Sequence, residues 1–136
     1  KEDLFLPSVI SNYGNDYCII STGSICNECI KATSLLKEKG INGMHLNIAG
    51  INPIPFDEIY KIIGDTKNVF VVEEGILSGG IGESILDRFS SDNKPSKVTP
   101  IAVTNVMIRA GSVKEQLCEA GLDGESVASK IMSVLA

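Results

Sequence analysis

An uninterrupted apolar run, Val69 to Val72, most strongly limits what this chain can fold into. Four β-branched and aromatic residues without polar alternation predict a strand buried on both faces, as in a parallel sheet covered by helices. Two carboxylates, Glu73 and Glu74, follow where such a strand ends, and a helix-compatible pattern begins at Gly82. The stretch therefore predicts a strand, an acidic turn, a glycine-rich loop and a helix. At such a place α/β proteins put ligands and interfaces.

The glycines of this loop, Gly79, Gly80 and Gly82, have two interpretations. Gly80-x-Gly82 is able to cradle a phosphate with backbone N–H groups at a helix N-terminus. A dinucleotide fingerprint would need a third small residue where this chain has Ile85, and it usually lies on the first βα turn. The favoured interpretation is conformational, because glycine permits positive φ and close backbone approach in a tight strand-to-helix crossover. That interpretation still allows the loop to lie at an interface.

The rest of the chain alternates strand-like and helix-like segments, which predicts a mostly parallel sheet between two layers of helices. We predict a single three-layer α/β/α domain over residues 1–136 with about five strands, in which residues 1–15 form an irregular lead-in and an edge strand. Ser24 and Asp123 are predicted to cap helices, and Gly40 is predicted to end one. The further predicted strands are Ser8–Ser11, Tyr17–Ser21, Gly43–Asn47 and Lys97–Val103, and the predicted helices are Ile25–Lys39, Phe56–Ile63, Gly82–Phe89, Ser112–Glu119 and Glu125–Leu135.

Composition disfavours several classes of function. The 136 residues carry a formal charge of −5 and no basic stripe, which disfavours nucleic acids and anionic membranes as partners. No apolar run approaches the roughly 20 residues that a membrane span needs. Because the chain starts at Lys1 rather than at a methionine, we expect it to be part of a longer protein.

The cysteines do not indicate a metal site by their spacing. Cys26-x-x-Cys29 has no second pair, and His45 is the only histidine, whereas a zinc site needs four ligands. A redox role is possible in principle, but Cys29 falls on the apolar face of a predicted helix, where cysteine commonly acts as a small buried hydrophobe. Reduced thiols at Cys18, Cys26, Cys29 and Cys118 would fit a cytoplasmic protein.

No self-contained set of catalytic residues stands out. Glu73 and Glu74 are neighbours at a strand end and point to opposite sides, so they cannot form a facing acid–base pair. One of them is able to accept N–H bonds from the glycine loop while the other faces solvent or a partner chain. Arg109 is the one cation in an apolar stretch. It is expected either to pair with a carboxylate or to be exposed to solvent. His45 is expected to be structural.

The order of motifs resembles the C-terminal domain of the transketolase family, and within it most closely that of 1-deoxy-D-xylulose-5-phosphate synthases. The resemblance spans Asp16 to Leu135, nearly the whole chain, and both a divergent synthase and a split transketolase-like subunit remain open. The segments that carry it are Asp16 to Ser24, Ala32 to Ile41, Asn52 to Asp57, Val72-Glu73-Glu74 with Gly79-Gly80-Ile81-Gly82, Gly111-Ser112 and Gly121-Leu122-Asp123.

The resemblance implies a parent enzyme of three domains, with thiamine diphosphate and a magnesium ion between the first two. Such a transferase moves a two-carbon unit to an aldose phosphate, in the synthase as a step of isoprenoid biosynthesis. The Gly-Asp-Gly metal motif does not occur in this chain, so no catalytic, cofactor or metal residue is assigned to it. The domain is expected to support a homodimer and to pack on the preceding catalytic domains or on a separate subunit. The candidate interface residues are Glu73, Glu74, Gly79, Gly80, Gly82 and Arg109.

Two alternatives from other classes accompany this interpretation. One is a stand-alone interaction or regulatory module that has kept the fold without the enzyme. The other is a small-molecule-binding α/β domain that uses the loop from Gly79 to Gly82.

Overall fold

The computed structural model describes residues 6–22, 25–48, 53–73, 80–102 and 123–136. Within these ranges strands and helices follow the predicted order, with boundaries that differ from the predictions by at most two residues. The predicted helix Ser112–Glu119 lies outside the described residues. The elements are β1 (Ser8–Asn12), β2 (Cys18–Ser21), α1 (Cys26–Glu38), β3 (Met44–Asn47), α2 (Phe56–Ile63), β4 (Asn68–Glu73), α3 (Ile81–Ser91), β5 (Lys97–Ala102) and α4 (Gly124–Leu135).

The described strands form one five-stranded sheet in the order β1-β3-β2-β4-β5. Strand β1 runs antiparallel to β3, and the other three pairings are parallel. In the centre of the sheet Ile19 of β2 is aligned with His45 of β3 on one side and with Phe70 of β4 on the other. The prediction of a mostly parallel sheet of about five strands is confirmed.

Helices cover both faces of this sheet, which explains the apolar run of β4. Phe70 and Val72 join a buried cluster with α1 and α4, whereas Val69 and Val71 join a second cluster with α2 and α3. All four side chains have no exposed surface. Since burying an aliphatic or aromatic side chain contributes about 1.5–3 kcal/mol, the run holds the two helical layers on the sheet. The predicted α/β/α architecture is confirmed.

Helix α1 ends as predicted. Gly40 has φ +80° and follows the last turn, where its N–H donates to Lys37 O and the N–H of Ile41 donates to Leu36 O. This is the left-handed ending that glycine favours. The predicted cap residue, Ser24, lies outside the described residues. Ile25, which directly precedes α1, already has helical backbone angles (φ −67°, ψ −12°) and is buried in the core.

Helix α4 begins against α1. Asp123 is its N-cap residue, as predicted, but its side chain makes no capping hydrogen bond. Gly124 lies so close to α1 that a Cβ there would be 2.7 Å from Lys31 Cβ. Real Cβ atoms do not approach that closely, so a glycine is needed where the two helices meet.

Candidate functional site

The predicted site lies where β4 ends and α3 begins, and Glu73 joins the two elements. Its Oε1 accepts a hydrogen bond of 3.0 Å from the N–H of Ile81, and its Oε2 accepts a short one from the N–H of Gly82. Glu73 is only 6% exposed. The prediction that one of the two adjacent glutamates accepts N–H bonds from the glycine loop is confirmed, and Glu73 is the residue that does so.

The local sequence explains why a glutamate is needed at this position. The first N–H groups of a helix have no partner within the helix, and the N-cap residue of α3 is Gly80, which has no side chain to accept them. The strand end brings a carboxylate to these donors, where its charge also interacts favourably with the positive end of the helix dipole. Glu73 therefore caps α3 from outside the helix and fixes the angle between strand and helix.

Gly82 is required by packing rather than by its backbone angle. A Cβ at Gly82 would lie 2.8 Å from Pro100 Cβ on β5 and 3.4 Å from Glu73 Oε2. Gly80 has φ −84° and ψ 178°, an extended conformation open to any residue. The expectation of positive φ is wrong for both, because the described glycines with positive φ are Gly14, Gly40 and Gly64. The other expected use of glycine, close approach, is what Gly82 provides.

This geometry bears on the phosphate interpretation of the loop. A phosphate at the N-terminus of α3 would need the N–H groups of Ile81 and Gly82, and the Glu73 carboxylate already occupies both. A second anion at this point would also meet the buried negative charge of Glu73. The described part of the loop is therefore built around an internal anion and does not fit a bound phosphate.

A second buried polar pair connects β2 and β3. Ser21 Oγ and His45 Nε2 lie 2.7 Å apart, and Ser21 Oγ lies 3.4 Å from Leu46 O. Both side chains are fully buried, and His45 Nδ1 has no hydrogen-bond partner. An unpaired buried lone pair costs less than an unpaired buried N–H, so the favoured tautomer has Nε2–H donating to Ser21 and the Ser21 hydroxyl donating to Leu46 O.

Burial lowers the pKa of His45 from 6.5 to about 4. Protonation would place a charge and an N–H group without an acceptor inside the sheet, which is the physical reason for the shift. His45 is therefore a neutral structural residue at ordinary pH, as the sequence predicted.

The cysteines of the described part of the chain are free thiols. Cys18 and Cys29 are buried and Cys26 is half-buried, and burial raises the pKa of the Cys29 thiol to about 12. Burial also raises the pKa of Cys18 well above its usual range. Within residues 6–22, 25–48, 53–73, 80–102 and 123–136, no three histidine, cysteine, aspartate or glutamate residues are grouped so as to hold a metal ion. Cys118 lies outside these ranges.

The structure thus brings Glu73, Gly80 and Gly82 together at one junction, while Glu74, Gly79 and Arg109 lie outside the described residues. Sequence reasoning did not find the Ser21–His45 pair. The register of two parallel strands creates that pair, and a single sequence carries no signal for it. In the described part of the chain no helix is long and apolar enough to cross a bilayer.

Comparison with known proteins gives one consistent family. The sequence profile of the transketolase C-terminal domain matches residues 8–127. A 1-deoxy-D-xylulose-5-phosphate synthase of Parabacteroides distasonis is 31% identical over 120 residues, which are 87% of this chain and 19% of that protein. A protein of Methanocaldococcus jannaschii described as a putative transketolase C-terminal section is 38% identical over 120 residues, which are 88% of this chain and 37% of that protein.

Solved structures agree on the fold. A solved structure described as a split-gene transketolase, an inactive tetramer of four beta subunits, superposes with a TM-score of 0.83 at 22% identity over 95% of this chain and 42% of that chain. A Pichia stipitis transketolase superposes with a TM-score of 0.66 at 18% identity over 96% of this chain and 18% of that chain. The chain thus spans about a fifth to two fifths of the proteins that it matches.

Proposed function

This chain belongs to the transketolase C-terminal domain family, and from that premise we propose that it is the C-terminal domain of a thiamine-diphosphate-dependent transferase. The transferase is of the 1-deoxy-D-xylulose-5-phosphate synthase or transketolase type and moves a two-carbon unit to an aldose phosphate. The observation that carries the proposal is the family match over residues 8–127, together with the 31% identity to a named synthase. Isoprenoid biosynthesis is the process that a synthase would serve.

The cofactor is proposed to bind outside this domain. Thiamine diphosphate needs donors for its diphosphate and ligands for a magnesium ion, usually carboxylates and amides. In the described residues, the N–H groups at the start of α3 are taken by Glu73, and no set of three potential metal ligands is grouped. These residues do not fit the cofactor.

The proposed role of this domain is to hold the enzyme together. The β4–α3 junction supports this proposal because the Glu73 carboxylate accepts the N–H groups of Ile81 and Gly82, which leaves neither of these helix donors unpaired at the carboxyl end of the sheet. A surface whose donors and acceptors are already paired can be covered by a partner without a desolvation penalty for unpaired groups. We propose that this junction packs on the preceding catalytic domains or on a separate subunit, within a homodimer, and that Glu74, Gly79 and Arg109 contribute to it.

Localisation is part of the same proposal. We place the enzyme in the cytoplasm, where reduced thiols persist, because Cys18, Cys26 and Cys29 are free in the structure.

The test is an activity assay on the full-length gene product, compared with this chain alone. The assay contains thiamine diphosphate, magnesium, pyruvate and glyceraldehyde 3-phosphate, and a second assay replaces pyruvate by a ketose phosphate donor. We expect transferase activity from the full-length product in one of the two assays and none from the chain alone. Silence in both assays would favour an interaction module that has kept the fold without the enzyme.

A further inference from the structure

The first strand of the sheet leaves its apolar side chains on the surface. Leu6 is 41% exposed, Val9 52%, Ile10 38% and Tyr13 44%. Six large apolar side chains are exposed in the described part of the chain, and these four occupy one segment of eight residues. Single exposed apolar residues need no explanation, but a concentration of them marks an interaction surface. We call these four residues the β1 patch.

The β1 patch contributes nothing to the two cores. No described member of either buried cluster comes from β1. The pairing of β1 with β3 is irregular between Val9 and Ser11, so the regular alternation of inward and outward side chains is interrupted there. Val9 and Ile10 are consecutive, and both remain exposed. Neither residue is therefore explained by the stability of the isolated domain.

The strand also lacks the usual protection of a sheet edge. Native edge strands commonly carry lysine or other charged residues that prevent association, whereas Ser8 to Asn12 contains none. The irregularity at Ile10 does interrupt the row of free backbone groups, which disfavours the addition of a further strand. The β1 patch is thus suited to contact through its side chains, with an apolar and uncharged surface as its partner.

The position of β1 in the chain identifies that partner. Strand β1 is the first described element, and the family is defined as a C-terminal domain. The matched relatives are about three to five times longer than the aligned part, so the remainder of such an enzyme joins the domain beside β1. A short connection gives the attached polypeptide a high effective concentration at this surface. A separate protein would have to compete with that attached surface.

We propose that the β1 patch docks onto an apolar surface of the polypeptide that precedes this domain in the same enzyme. The proposal rests on the proposed function, since it requires a multidomain parent. It adds a second contact to the one at the β4–α3 junction. The two contacts are separated in the sheet, because strands β3 and β2 lie between β1 and β4, the strand that carries Glu73. Lys37 Nζ lies 4.1 Å from the centre of the Tyr13 ring and marks the limit of the patch towards α1.

Thiol labelling of the full-length gene product tests the proposal. Val9→Cys is compared with Leu86→Cys, a matched control because Leu86 is an apolar residue on α3 that is 39% exposed. Labelled peptides are quantified by mass spectrometry, so the native cysteines do not interfere. We expect Val9→Cys to react at least roughly tenfold more slowly than Leu86→Cys in the native enzyme, as a docked surface in equilibrium with a small open population would. In urea the two sites should react at equal rates.

Three results would overturn the proposal. Equal native labelling rates would show that the β1 patch is uncovered. Protection that disappears on dilution would show that a second copy covers the patch. A gene that encodes nothing ahead of this domain would remove the proposed partner altogether.

A charge in the patch gives an independent measurement. Val9→Lys should weaken the docking, so limited proteolysis should separate this domain from the preceding polypeptide faster than in the wild type. Leu86→Lys should leave the cleavage rate unchanged. The activity assay keeps this inference apart from the proposed function. An active enzyme with an unprotected Val9→Cys would refute the docking alone, and an inactive protein with a protected Val9→Cys would refute the transferase alone.

Discussion

Glu28 in α1 caps the N-terminus of α4 across 96 positions of sequence, because its Oε1 accepts a 2.8 Å hydrogen bond from the N–H of Gly124. The Glu28 side chain is 13% exposed, and its Oε2 lies 3.4 Å from Lys31 Nζ. The Glu28 carboxylate thus makes the capping hydrogen bond to α4 that the side chain of the N-cap residue, Asp123, does not make. This hydrogen bond connects α4 to α1.

Removing this carboxylate should loosen the last helix. Because capping interactions contribute about 0.5–2 kcal/mol, we expect Glu28→Ala to lower the free energy of unfolding by about that amount. Urea unfolding followed by circular dichroism measures it. Glu58→Ala is the control. Glu58 is 41% exposed, and its Oε2 lies 3.8 Å from Lys61 Nζ, so the two form an exposed ion pair that contributes little to stability. Equal effects of the two substitutions would mean that Glu28 is not a cap.

Glu73 should matter more than Glu28, because it satisfies two helix donors from a buried position. Hydrogen bonds to charged groups contribute about 1.5–3 kcal/mol, so we expect Glu73→Ala to cost about 2–3 kcal/mol. Glu73→Gln keeps one acceptor and should cost less. Asp87→Ala, on the exposed face of α3, controls for the change in net charge. If Glu73→Ala unfolds at the same urea concentration as Asp87→Ala, the capping role is refuted.

Gly82 should be intolerant of a methyl group for reasons of space. A Cβ would meet Pro100 Cβ at 2.8 Å, and overpacking of this kind costs about 1–3 kcal/mol. We therefore expect Gly82→Ala to destabilise the protein, although alanine is otherwise the better helix residue. The check is a double-mutant cycle with Pro100→Gly, which removes the opposing Cβ. A coupling energy of about 0.5 kcal/mol or more is expected, whereas additive effects would exclude the clash.

Local patterns in the sequence predicted the elements and the layers. The apolar run from Val69 to Val72 indicated a strand covered on both faces, and Gly40 marked the end of a helix. The acidic residue after the strand also suggested an acceptor for the glycine loop. In these cases the determinants lie within a few residues of one another.

Contacts between distant segments could not be predicted in the same way. The requirement for glycine at Gly82 depends on Pro100, and the requirement at Gly124 depends on Lys31. The sequence shows only that a glycine is present. A requirement for positive φ and a requirement for close approach both select glycine, so the sequence does not distinguish them.

The described cysteines should differ sharply in reactivity. Thiolate is the reactive form, and burial raises the pKa of Cys29 to about 12 and that of Cys18 above its usual range. We expect iodoacetamide at pH 8 to modify Cys26, which is half-buried, well before Cys18 or Cys29. Peptide mass spectrometry measures the rates, and urea should make the three equal. Modification of Cys29 as fast as Cys26 would indicate a reactive pair instead of a structural thiol.

His45 should make the protein less stable in mild acid. Its pKa is about 4 in the folded chain and 6.5 without burial, so between these values the unfolded chain binds a proton that the folded chain does not. Stability from this group is complete above pH 6.5, falls as the pH drops towards 4 and is constant below that. Since one pKa unit corresponds to about 1.4 kcal/mol, the total loss is on the order of 3 kcal/mol.

The histidine contribution can be separated from that of the carboxylates by a variant without the imidazole. His45→Asn cannot be protonated in this range, and all other titrating groups remain. Urea unfolding of both proteins at several values between pH 7 and pH 4.5 should give curves that diverge as the pH falls, with the wild type losing more stability. The change with pH is the informative quantity, because His45→Asn also disturbs the hydrogen bond to Ser21 and shifts the whole curve. Parallel curves would mean that His45 is solvated or paired in the folded protein, which contradicts the buried, neutral imidazole with a free Nδ1.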